Sequence, residues 1–113
     1  MLQFQTLTEF DFHQTLEQTE GVSIVMFSGP DCGACRQIEK LLPGVATGIV
    51  AQLFKVDAQQ CMGLVRQYEV FHFPALFLFV NGYFHATLHS EVTPVKMQAA
   101  IDAALARPAE EEP

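Results

Sequence analysis

Cys32 and Cys35, with Gly33 and Ala34 between them, are the residues of this chain best suited to chemistry. A cysteine thiolate is both a nucleophile and a metal ligand, and two cysteines three apart on a helix share one side of it. The spacing leaves three readings: a redox pair, a metal site, or a structural pair without turnover. A closed zinc site needs four ligands, so Cys61 and a histidine would have to join at a spacing unlike the usual zinc patterns. Redox exchange needs the pair alone, and it is the leading reading. The chain has three cysteines, an odd number that suits a secreted disulfide framework poorly. In a reducing compartment a close pair of this kind serves redox or metal chemistry.

The segment in front of the pair decides its reactivity. Residues 22–27 are apolar except for Ser23 and rich in β-branched side chains, which predicts a strand covered on both faces. Ser28-Gly29-Pro30-Asp31 is a turn cluster. A helix is expected from about Cys32 or Gly33, with Ile38, Leu41 and Leu42 on its buried side. Cys32 then stands among unpaired N–H groups at the positive end of the helix dipole. A stabilisation of about 0.3–2 kcal/mol lowers a thiol pKa by roughly 0.2–1.5 pH units. From an ordinary value of about 8.5, the thiol would titrate near neutrality, where an attacking thiol is most effective. Cys32, at the exposed end, is the expected nucleophile, and Cys35, further inside, the resolving thiol.

The remaining pattern supplies the frame. A short strand is expected at 2–5, then a helix over 9–18 with Thr8 as cap, Asp11 closing a capping box, and Phe12 and Leu16 on its apolar stripe. Pro43-Gly44 should stop or kink the helix that follows the cysteines, because proline cannot donate to the preceding turn. Residues 49–56 read as a strand, and Asp57 as the entry to a helix over 58–68 with Leu64, Val65 and Tyr68 inward. Residues 75–80 form a second apolar strand. Asn81-Gly82 is a hairpin signal, and 83–89 alternates with Phe84, Ala86 and Leu88 on one face. Thr93-Pro94 marks a capped helix start, with Val95, Ala99, Ile101 and Leu105 on the expected apolar face. The order β-α-β-α-β-α-β-β-α defines one α/β domain over 1–106. Residues 107–113, rich in Pro, Ala and Glu, read as a disordered acidic tail.

Composition narrows the function classes. The 113 residues fit one domain, and half of them are hydrophobic, enough for an apolar core without staples. The formal net charge is −7, and the 6 Lys and Arg form no basic cluster. That argues against nucleic acid and against anionic membrane surfaces as partners. No apolar run approaches the roughly 20 residues of a membrane span. The first residues, Met1 to Gln5, carry no basic side chain and do not read as a signal peptide. The chain is expected to be complete, cytoplasmic and monomeric.

The strand before the pair, the motif Cys32-Gly33-Ala34-Cys35, the strand end Lys55-Val56-Asp57, Phe73-Pro74 before an apolar strand, and the Asn81-Gly82 hairpin stand in one order. In these features the chain resembles the thioredoxin family over residues 2–106. The resemblance implies a five-stranded mixed sheet in the order 1-3-2-4-5, flanked by four helices. It also implies a cis Phe73–Pro74 bond against the cysteine pair, with the backbone of Phe73 offered to a bound peptide. On that footing Cys32 and Cys35 are the catalytic residues, and Asp31, Gly33, Ala34, Phe73, Pro74 and Ser90 bind substrate. No bound cofactor and no metal are expected.

Several positions depart from the family pattern. Asp31 stands where Trp is usual, and its carboxylate either opposes the Cys32 thiolate or caps the helix. Ala34 replaces the usual Pro, a change that can shift the reduction potential. Met26 replaces a buried acid that helps deprotonate the resolving thiol, and Ser90 replaces a Gly of the docking surface. Cys61 reads as a passive small residue, and His85 and His89 as solvated. The expected function is reduction of protein disulfides in cell redox homeostasis, with disulfide-containing proteins as substrates and a separate reductase as electron donor. The alternative is a non-catalytic adaptor that binds a partner protein through the same groove.

Overall fold

The computed structural model describes residues 2–113. In chain order its elements are β1 (Phe4–Leu7), α1 (Phe12–Gln18), β2 (Val22–Ser28), α2 (Gly33–Ala46), β3 (Gln52–Asp57), α3 (Met62–Gln67), β4 (Ala75–Val80), β5 (Tyr83–Leu88) and α4 (Pro94–Ala106). The strands form one sheet in the order β1-β3-β2-β4-β5. β1 and β2 run parallel to β3, while β4 is antiparallel to β2 and β5 to β4. This is the sheet that the resemblance implied.

β2 is covered on both faces, as its apolar run requires. Ile24 and Met26 point into a cluster with Ile38 and Leu42 of α2 and Met97 and Ile101 of α4. Val25 and Phe27 point the other way, against Phe12 and Leu16 of α1 and Leu64 of α3. The second layer is largely aromatic. Phe12, Phe27, Tyr68, Phe77, Phe79 and Phe84 meet with ring centroids 5.3 to 6.5 Å apart, mostly edge-on or tilted. Such pairs add about 0.5–1.5 kcal/mol each beyond the area they bury. The sheet is therefore clamped from both sides, and its edges at the C-terminal ends of β1, β2 and β3 are free to carry loops.

Element boundaries differ from the sequence reading where tertiary contacts outweigh local pattern. β1 begins at Phe4 rather than at residue 2, because Leu7, buried against the sheet, pairs with Val56. Half of the Thr8–Asp11 box forms, the Thr8 N–H donating to Asp11 Oδ1 at 2.7 Å, while the Thr8 hydroxyl accepts from the Phe10 N–H, and regular helix starts only at Phe12. α2 runs through Pro43 to Ala46 instead of stopping there. Proline removes a single backbone bond, and burial of Leu42 and Ala46 outweighs that loss. β3 begins at Gln52, since the Ile49 and Val50 N–H groups both turn back to the Ala46 carbonyl. α3 is confined to Met62–Gln67, and Asp57 accepts from the Gln59 N–H in a turn rather than capping a helix.

The hairpin follows its signal closely. Asn81 and Gly82 take φ values of +52° and +85°, the left-handed pair that a tight two-residue turn needs. α4 is capped by Thr93, whose hydroxyl accepts from the Lys96 N–H at 3.2 Å. Its buried face is Met97, Ile101 and Ala104, so Val95 and Ala99 are corrected to the solvent side. Residues 107–113, expected as a disordered tail, lie against β5. The Glu110 N–H donates to the His85 carbonyl at 2.7 Å, and Tyr68 Oη donates to Glu112 Oε2 at 2.8 Å.

Candidate active site

β2 delivers the chain to the sheet edge, and the Ser28–Asp31 turn reverses it into α2. Asp31 sits exposed with φ +52°, a conformation that aspartate tolerates better than most residues. Cys32 is the N-cap of α2. Its Sγ accepts from the Cys35 N–H at 3.1 Å, so sulfur takes the place of the usual cap oxygen. Asp31 is thus beside the cap and is not the cap. Cys32 and Cys35 are joined in a disulfide, with their Cα atoms 5.2 Å apart. Cys32 is partly exposed and Cys35 is 5% exposed.

The second wall of the site comes from the loop before β4. The Phe73–Pro74 peptide bond is cis. Cys32 and Phe73 pack against the same buried cluster that contains Cys35. Gly29 makes this approach possible: a Cβ there would stand 2.5 Å from the Phe73 ring. The role of Gly29 was not evident from sequence beyond a turn. Its signal would have been two features together, a glycine in the turn before the pair and an aromatic residue before Pro74. Gly33 and Ala34 form the first turn of α2 with the two sulfurs. Ser90 lies beyond β5, exposed, with its hydroxyl donating to the Glu91 carbonyl at 2.6 Å.

The electrostatics around the pair depend on what fills the place of a buried acid. Met26 is 1% exposed and packs in the cluster with Cys35. Lys55, the register partner of Met26 on β3, reaches instead to Glu39 Oε1 on α2 at 3.0 Å. Cys61 is buried, and that burial pushes its thiol up from the ordinary range, aided by the negative charges of Glu9 and Asp57. Among the described residues no three His, Cys, Asp or Glu side chains converge to hold a metal ion. His85, read as solvated, is half-buried, with Nε2 2.8 Å from the Ala104 carbonyl and 3.0 Å from that of Arg107.

A cysteine pair opening a helix, fed by a covered strand and faced by a cis-proline loop, defines the thioredoxin-fold class. The family model for thioredoxin matches residues 3–103. The chain belongs to the thioredoxin family. A relative from Arabidopsis thaliana, protein disulfide isomerase-like 1-3, is 37% identical over 73 residues, covering 63% of this chain and 13% of that protein. The chain thus spans a small part of the relative it matches. Family and paired sulfurs together support thiol–disulfide oxidoreductase chemistry in general. No helix among the described residues is long and apolar enough to cross a membrane.

Proposed function

We propose that this chain reduces disulfides in other proteins by dithiol exchange at Cys32 and Cys35. The observation that carries the reading is the joined pair across the first turn of α2, Cys32 partly exposed and Cys35 buried, with Phe73 packed against the same cluster. In the reduced chain the Cys32 thiolate attacks one sulfur of a substrate disulfide. That S–S bond breaks, a mixed disulfide forms, and the second substrate sulfur leaves as a thiolate and takes a proton. Cys35, losing its proton, then attacks the Cys32 sulfur. The mixed disulfide breaks, the substrate leaves with both sulfurs reduced, and Cys32–Cys35 is oxidised. A separate dithiol reductase returns the two electrons. With Met26 in the buried position, the Cys35 proton leaves through water at the mouth of the site. We place this activity in the cytoplasm, in redox homeostasis, carried out by a monomer.

Reduction of insulin disulfides with a small dithiol as donor tests the reading. Cys32→Ser should lower the rate about a thousandfold or more, as expected for loss of a covalent nucleophile. Cys35→Ser should accumulate a mixed disulfide on Cys32, visible by mass and released by excess thiol. If Cys35→Ser traps nothing while the wild type turns over, the two-step route is wrong. Asp31, Met26 and Ser90 favour a second reading, an adaptor using the same groove. Partner binding that survives replacement of both cysteines, without turnover by the wild type, would select it.

A further inference from the structure

We propose that residues 107–113 form a strap that competes with protein substrates for the groove beside Pro74. The proposal rests on the exchange reading above and adds its regulation. β5 is the edge strand of the sheet, so its outward backbone groups have no strand partner. Edges of this kind are normally covered or blunted. Here Glu110 covers it: its N–H donates to the His85 carbonyl at 2.7 Å, and its Oε1 accepts from the Thr87 N–H at 3.1 Å. His85 fixes the approach from α4, since its ring nitrogen meets the carbonyls of both Ala104 and Arg107. Glu112 makes the next anchor, on the hydroxyl of Tyr68.

These anchors carry the chain to Pro113, which lines a cavity of about 350 Å³ together with Phe71, His72, Pro74, Thr87 and His89. Pro74 is the residue that shapes the proposed peptide groove, and Phe71 is 83% exposed at its rim. A peptide laid along the loop at Phe73 and Pro74 meets the strap at Pro74, the residue that this loop and the cavity share. Residues 107–113 are themselves exposed and in no regular element, so they leave without unfolding the domain. Cys32 is outside this cavity and stays open to small reagents whether the strap is on or off. A ligand that binds only the strap-free form has its apparent affinity reduced by the fraction of that form. The strap therefore raises KM for protein disulfides and leaves small disulfides unaffected.

The test uses the full chain carrying Glu110→Pro and Glu112→Ala, which removes the donated N–H and both carboxylate anchors. Against oxidised insulin, kcat/KM should rise threefold to tenfold through KM. Against hydroxyethyl disulfide it should be unchanged. Tyr68→Phe, which keeps the ring and loses one anchor, should give about a twofold rise. The Thr87 amide should exchange its hydrogen faster in the double variant. Equal insulin kinetics in wild type and both variants would overturn the strap and reduce it to an edge cover. Failure of all forms, wild type included, to reduce insulin would instead overturn the exchange reading. If the double variant does not fold, Tyr68→Phe alone decides.

Discussion

At the mouth of α2 the Cys32 sulfur takes the hydrogen bond that a serine or aspartate cap would accept. The same N–H that caps the helix stabilises negative charge on that sulfur once the disulfide is opened. Asp31 opposes this from one residue away, because its exposed carboxylate adds like charge. Asp31→Asn should therefore speed alkylation of reduced Cys32 at pH 7 about twofold to threefold, an effect of the size expected for exposed charges in water. Added salt should shrink the difference. Gly29 gives a second prediction. Gly29→Ala forces the Phe73 ring to move by the clash its Cβ would make. Insulin reduction should fall about tenfold while the urea midpoint shifts little, since Phe73 is only partly buried. The cysteine pair and Pro74 were legible because their chemistry is local to a few residues. Gly29 was not, because its role depends on a ring brought in from another loop.

Elements were legible where one force set them. The apolar runs that became β2 and β4, the Asn81-Gly82 turn and the Thr93-Pro94 cap stand close to where the pattern put them. Boundaries slipped where packing overrode propensity, as at Pro43, which lies inside a helix held by Leu42 and Ala46 on either side. Gly82 has a left-handed backbone, and a Cβ there would sit 2.7 Å from the Leu16 carbonyl oxygen. Gly82→Ala should cost about 1–3 kcal/mol, combining strain at positive φ with the clash. Phe12 is fully buried and touches Phe27, Tyr68 and Phe79. Phe12→Ala should cost about 3–5 kcal/mol through the cavity it leaves. Urea unfolding of the oxidised protein reads both.

At the scale of the molecule the order of elements was legible from the apolar segments, whereas the order of strands in the sheet came only with the resemblance to the thioredoxin family. Residues 107–113 could not be read this way. Their composition has too little apolar surface to fold alone, and the open edge of β5 and the Tyr68 hydroxyl give them partners. Whole-molecule stability also carries a pH signature. Burial pushes the Cys61 thiol up, and burial together with the Glu112 carboxylate pushes the Tyr68 phenol up. The folded chain then keeps these protons at pH values where the unfolded chain loses them. Stability is full below the unfolded thiol value of about 8.5 and falls as pH rises past it. Cys61→Ala in the oxidised protein should flatten the fall between about pH 8 and 10. The most direct test of the central claim is residue-resolved alkylation of the reduced wild type by iodoacetamide across pH. The account predicts rapid labelling of Cys32 at pH 7, and protection of Cys35 and Cys61. Protection of Cys32 at every pH where the fold persists, or labelling of Cys35 ahead of it, would contradict the assignment of the attacking sulfur.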